Sequence, residues 1–432
     1  MQVGLSTQNA PSVWVVAPHY LIGALNFIIA SVLMVFHFED LMGYHLTAPM
    51  LSVTHLMILG WVSIVIFGAL YQLIPVVMEV KIYSEKLAYA TLAVMVLGLL
   101  FLIDGFLNFE FKASHAITLG ATFVIIAIIM FAFNTLKSAA ASEKKSISRL
   151  YIIASGLYLL LNVSLGLFMA LNMSYNWVAV AHTEFLKAHL VVGLVGWFLM
   201  LIIGVAARLM PMFLIVHKLK EEYLKWGFYL LNAGILTIFT LVWIPGYPKI
   251  LFGLALLLIL SGLVLFLMFN YDVFKHRMRK KLDSGMKPTA IALIIFGVSL
   301  VVFVAVYIGN DVFGLPVGRL EIIAGILIVY GFFTGIILGQ TYKTLPFIIW
   351  LFHYQKLVGR QKTPLPGEMF NEKLVAVHTW SFTISVMLFI VGLLFSVEFI
   401  VLAAAITMLF TSVVYGINAS KMIFHKKQII QK

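Results

Sequence analysis

The sequence predicts an all-α, polytopic membrane protein: about twelve transmembrane helices in three pseudo-repeated groups of four, forming a single transmembrane domain over 1–432. Three observations carry that prediction. The 432 residues are 62% hydrophobic and 11% charged, with a mean hydropathy of +1.07; soluble chains carry about 25% charged residues. The apolar residues fall in blocks of about 20, long enough to cross a hydrocarbon core about 30 Å thick at 1.5 Å per residue. One pattern of glycines, an aromatic residue and a proline also recurs three times.

The first span, near 18–38, follows a stretch with no Lys or Arg before Trp14. That block is therefore expected to act as its own insertion signal. The second span, near 51–77, reads "HLMILGWVSIVIFGALYQLIPVV" from His55. The third and fourth, near 86–107 and 113–136, complete the first group, roughly 18–136. The next four lie near 149–172, 184–215, 223–244 and 249–270, a group of roughly 149–270. The last four lie near 289–309, 319–351, 374–395 and 397–420, a group of roughly 289–420.

Cations orient the spans. Lys81 and Lys86 follow the second span, and Lys137, Lys144, Lys145 and Arg149 the fourth. Lys218, Lys220 and Lys225 follow the sixth; Lys275, Arg277, Arg279, Lys280 and Lys281 the eighth. Lys356, Arg360 and Lys362 follow the tenth, and Lys426, Lys427 and Lys432 close the chain. Loops after odd spans hold little beyond Lys112, Lys187, Lys249 and Arg319. By the positive-inside rule the even loops and both termini face the cytoplasm of an inner (plasma) membrane protein. The net charge of +12 is thus a topology signal, and the expected partner is the lipid bilayer, with no nucleic acid. The chain has no cysteine, which excludes disulfides, thiolate metal sites, iron–sulfur clusters and thioether-linked haem.

This orientation sorts the histidines. His37, His45, His55, His115, His182 and His189 fall toward the outer side, and His19, His217, His276, His353, His378 and His425 toward the inner. His276, His353 and His425 sit among Lys and Arg and read as headgroup-facing residues.

The recurring pattern aligns on Pro75, Pro211 and Pro346. Fifteen residues before each lies Gly60, Gly196 or Gly331, followed by Trp61, Trp197 or Phe332; seven before each lies Gly68, Gly204 or Gly339. In an α-helix, glycines eight apart fall within about 80° of each other, so both can line one helix seam. A repeat of about four helices, used three times, places the second, sixth and tenth spans in equivalent inner positions. Three residues before each proline stands Gln72, Arg208 or Lys343. Two readings stay open for these: side chains snorkelling to headgroups, or an inner polar pathway or anionic partner site.

"HLMILGWVSIVIFGALYQLIP" resembles a haem-ligand helix of subunit I, the catalytic subunit, of haem–copper oxidases, closest to the C-type cytochrome oxidases and bacterial nitric-oxide reductases. In that family a helix with His…Gly-Trp…Gly-Ala-Leu-Tyr…Leu-Ile-Pro carries an axial ligand of the low-spin haem. The family's twelve helices in three groups, with both termini inside, match the topology read above. The resemblance implies haem b, respiratory electron transfer or O2/NO chemistry, an oxidoreductase activity, a respiratory-chain subunit or electron donor as partner, and a small gas ligand. The chain also departs from the family. Val53 stands where a second histidine is expected; the seventh span, "LKWGFYLLNAGILTIFTLVW", lacks the copper-site His-His pair; and the tenth has no histidine. A standard oxygen reductase is therefore not expected.

Given the resemblance, His55 and His189 are the candidate haem ligands, 20 and 22 residues before their prolines. Lys187 and Arg319 are the expected propionate partners. His182, two turns before His189, is a candidate for a second metal or a propionate, with His45, His115 and Glu184 at its level for copper or non-haem iron. The other reading of His55 and His189 is that of buried, hydrogen-bonded packing residues. His378 reads as packing or as a site of its own, and the 20 methionines as packing. No catalytic residue is assigned. Two further functions stay open: a non-redox transporter using Arg208, Lys343, Asp104, Glu184 and Glu321, and an assembly or sensing partner of a respiratory complex.

Overall fold

In hydrocarbon a backbone must satisfy its own hydrogen bonds, and apolar runs of this length do so as helices. The computed structural model describes residues 9–44, 46–108, 115–141, 146–178, 180–217 and 219–427, without the side chains of 76–78, 311 and 312. Among the described residues there is no strand. Twelve helices are long and apolar enough to cross a membrane: α1 (Val13–Phe36), α2 (Ala48–Pro75), α3 (Glu85–Leu107), α4 (His115–Ala140), α5 (Ile147–Tyr175), α6 (His182–Leu214), α7 (Glu221–Leu241), α8 (Lys249–Lys275), α9 (Met286–Asn310), α10 (Gly318–Leu357), α11 (Glu372–Phe395) and α12 (Glu398–Ile423). They match the expected spans in number and order. The largest difference is α10, which continues past residue 351 to Leu357.

Local chemistry starts and stops these helices. Ser12, Thr47, Ser84, Ser146 and Asn371 accept first-turn N–H groups at the starts of α1, α2, α3, α5 and α11. Left-handed residues Asn176, Ile215 and Ser396 end α5, α6 and α11. Pro18, Pro75, Pro211 and Pro346 lie inside helices, which membrane spans tolerate where neighbours re-satisfy the backbone.

The chain forms two compact units. The mid-chain unit is Ile74–Lys281 together with Asn9, and holds α3–α8. The terminal unit is Ala10–Leu73 with Leu282 onward, and holds α1, α2 and α9–α12. This division does not follow the three expected groups of four: its first break falls in the last residues of α2, and only its second, between α8 and α9, lies where two groups were expected to meet.

Within the mid-chain unit α3 and α4 meet through glycines. A Cβ on Gly98 would lie 2.8 Å from the Val124 nitrogen, and one on Gly120 2.4 Å from the Leu102 nitrogen. In the same way Gly234 of α7 meets Ile259 of α8. In the terminal unit α11 pairs with α12, α1 lies on α12 and on α2, and α10 touches α9, α12 and α1. Trp61 is fully buried there; it stacks on Phe27 at 4.9 Å, meets Tyr415 edge-on at 5.0 Å, and donates Nε1–H to Thr334 Oγ1 at 3.2 Å.

The three marked helices are alike in two local features. Each packs its glycine pair on the helix before it: Gly60 and Gly68 on Asn26 and His19, Gly196 and Gly204 on Tyr158 and Tyr151, Gly331 and Gly339 on Ile295 and Thr289. Each also contains a π turn, at Leu56–Ser63, Val191–Leu199 and Leu327–Thr334. The wider i→i+5 turn absorbs one extra residue, so the 80° spacing expected of a pure α-helix does not apply across it.

Candidate functional site

His55 is the last residue before the π turn of α2 and is half-buried. Its Nδ1 lies 2.8 Å from the Leu51 carbonyl oxygen, one helical turn back. A carbonyl only accepts, so Nδ1 carries the proton and Nε2 holds the lone pair. That tautomer is the one a metal-ligating imidazole uses, with its second nitrogen anchored to a backbone carbonyl. The sequence pattern could not have revealed this, because it depends on a ring rotamer.

His189 lies two residues before the π turn of α6 and is also half-buried. Its ring sits over Gly166 of α5, where an added Cβ would come 3.2 Å from Cε1. Any larger residue at 166 would push on the ring. His55 and His189 are each the eighth residue of their helix. His55 and Arg319 belong to the terminal unit; His182, Lys187 and His189 belong to the mid-chain unit.

The expected propionate partners already have partners of their own. Lys187 Nζ is 2.7 Å from Glu184 Oε1, and Tyr247 donates to Glu184 Oε2 at 2.9 Å. Lys187 also stands 5.7 Å over the Phe252 ring. Burial, then the bond to the Glu184 carboxylate, pushes the Tyr247 phenol above its usual range. Arg319 bonds through its guanidinium to the hydroxyl of Ser396, the left-handed residue ending α11. Both cations are exposed, so exchanging these partners for a propionate costs little. His182 is exposed at the start of α6 and His115 at the start of α4, while His45 lies outside the described residues. Among the described residues no three of His, Asp and Glu gather as they would around a metal ion.

The residues three before each proline have three different fates. Arg208 is exposed, as snorkelling requires. Lys343 is mostly buried and forms an ion pair with Asp283, which also accepts the N–H groups of Gly285 and Met286 at the start of α9. Gln72 is buried, and neither amide atom has a hydrogen-bond partner. The run Gln340–Thr344 is a signal in the sequence for a polar stretch in α10, but nothing in it marks the salt-bridge partner of Lys343, sixty residues away.

His19 and His378 are the most buried histidines of the terminal unit, at 1% and 0% exposure. His378 stacks on Tyr342 at 5.3 Å and meets Tyr415 at 6.3 Å; His19 meets Tyr71 edge-on at 5.6 Å. His276, by contrast, is an exposed residue whose Nδ1 bonds the Asp272 carbonyl at 2.9 Å. The Asp272 carboxylate beside Lys220 raises that ammonium's pKa.

No protein-family model matches the chain. An uncharacterized protein of Aquifex aeolicus (strain VF5) is similar to it, with 25% identity over 321 residues, covering 73% of this chain and 76% of that protein.

Proposed function

We propose that this protein binds haem b inside the membrane and works in respiratory electron transfer or in the chemistry of a diatomic gas, as a divergent relative of haem–copper oxidase subunit I. The observation that supports this reading most is the His55 ring. Its Nδ1 is tied to the Leu51 carbonyl and its Nε2 keeps the lone pair, at the entry to a π turn on the helix that resembles a haem-ligand helix. His189, seated over Gly166 beside the π turn of α6, is a candidate ligand within the mid-chain unit. When bound, the haem supplies an iron that takes up and passes on one electron or holds a gas molecule.

The chain's own residues do the remaining work. The Leu51 carbonyl holds the His55 tautomer and raises its basicity. Gly166 leaves room for the His189 ring. Lys187 and Arg319 are the cations available to propionates, at the expense of Glu184 and Ser396. The donors do not fit copper in the same way: the His-His pair is missing from the seventh span, and His182 has no assembled partner set among the described residues. The charge distribution supports an inner-membrane location with both termini in the cytoplasm.

The test is the visible spectrum of the purified protein, from cells supplied with haem precursor, beside His55→Ala and His189→Ala. A Soret band in the wild type, with at least tenfold less haem per chain in His55→Ala, is expected. Carbon monoxide then separates an open gas site from a closed electron carrier. Absence of any Soret band overturns the proposal and leaves a non-redox transporter or a respiratory-complex assembly or sensing partner.

A further inference from the structure

Five consecutive polar residues, Gln340–Thr344, occupy the interior of α10 in the terminal unit, where insertion into a bilayer is costly. Around them lie side chains that are sealed from the surface yet unsatisfied. Among the described residues no ring nitrogen of His378 or His19 meets full hydrogen-bond geometry, although backbone groups lie beside both rings, the Val15 carbonyl beside His19. Both amide atoms of Gln72 and the hydroxyl of Ser63 are in the same condition. Such atoms are costly if left dry, so a stable fold satisfies them with water or a ligand.

His19, His378, Gln72 and Tyr415 share one level of the unit, and Ser63 lies deeper. His19 is six residues from the start of α1, His378 six from the start of α11, Gln72 three from the end of α2 and Tyr415 eight from the end of α12. At 1.5 Å per residue all lie within about 12 Å of one end of the bundle. Two hydroxyl pairs lie beside them. Tyr415 OH is 3.1 Å from Thr341 Oγ1, which lies one turn from Thr344, and Thr344 Oγ1 is 2.9 Å from the OH of Tyr20, the neighbour of His19.

We propose that His19 and His378 mark an internal, water-filled proton-binding site of the terminal unit, near the end where α1 begins and α12 finishes. Its ligands are water and the hydrated proton. The neighbours point to that chemistry: phenols, threonine hydroxyls and an amide both donate and accept, as a water chain needs. The titratable groups facing the two rings are Tyr71 on α2, Tyr342 on α10 and Tyr415 on α12, and α10 also carries Lys343, paired with Asp283 just before α9. This inference does not depend on haem being bound.

Histidine C2–H deuterium exchange, read by mass spectrometry on the full chain in lipid nanodiscs over a pD series, tests it. Wetted rings exchange over days: His19 and His378 are expected to exchange within about tenfold of the exposed His276, with a sigmoidal pD dependence. Gln72→Leu removes an amide from the water network and is expected to slow His19 at least threefold while leaving His276 unchanged. Complete protection of His19 and His378 while His276 exchanges overturns the proposal, because the core is then dry. An unchanged His19 rate in Gln72→Leu overturns the link between them. Stoichiometric zinc, copper or iron that is lost in both His19→Phe and His378→Phe also overturns it, in favour of a metal centre.

Discussion

At the residue scale, the Lys343–Asp283 pair carries two roles that separate on mutation. Asp283 neutralises a mostly buried ammonium and accepts two N–H groups at the start of α9. Asp283→Ala removes both functions and strands a cation in the bundle, a loss of about 3 kcal/mol or more. Lys343→Met removes the charge but leaves a partly exposed carboxylate that still caps the helix, so it costs less. Thermal unfolding in detergent should rank the melting temperatures as wild type, then Lys343→Met, then Asp283→Ala.

His425 offers a second residue-scale test. Its Nε2 meets the buried Tyr354 hydroxyl at 2.8 Å, and burial lowers its pKa from 6.5. A depressed folded pKa means that the unfolded chain binds the proton more readily. The stability this contact gives is therefore complete above about pH 6.5 and is lost as pH falls through the lower folded value. A small drop in melting temperature, under about 2 °C, is expected on acidifying from pH 7.5 to 5.5. His425→Gln should abolish that increment in a scanning-fluorimetry pH series.

Elements are held by close backbone approach, and some helix glycines sit far tighter than others. A Cβ on Gly339 would lie 2.5 Å from the Gly285 carbonyl oxygen, a backbone atom that cannot swing away. Gly156, also inside a helix, has nothing nearer than 3.9 Å. Gly339→Ala should cost about 1–3 kcal/mol through overpacking, whereas Gly156→Ala should be neutral or stabilising by up to about 1 kcal/mol. Paired melting curves decide this, and equal behaviour of the two variants would refute the packing account. The glycine marks were legible in the sequence because close approach admits few residue types. The π turns were not, because i→i+4 and i→i+5 bonding suit the same apolar residues. For the same reason the sequence could name His55 but not the ring orientation that makes Nε2 its ligating atom.

At the scale of the whole molecule, the bilayer's thickness made twelve spans legible, and errors gathered where helices outrun it, as α10 does. The two units were not legible. Apolar faces in lipid choose partners by shape rather than by sequence distance, so helices from the two ends of the chain share a unit. The orientation proposed from the cations can be checked simply, since the chain has no cysteine of its own. Single cysteines at Met278 and Gly246 should label from opposite sides of an intact membrane, Met278 from the cytoplasm. Labelling of both from one side would remove the topology on which the outer placement of His55 and His189 rests.

The interrupted terminal unit also sets a schedule for biosynthesis. Helices α1 and α2 leave the ribosome first, yet the helices that complete their unit begin only after Leu282. At about 5–20 residues per second, the intervening stretch of about 200 residues takes about 10–40 s to make. Throughout that interval the nascent hairpin presents His19 and Gln72 without α10 and α12 to enclose them. The unit can close only once the second half of the chain has been made, so ribosome stalling within α3–α8 should expose this intermediate to membrane proteases.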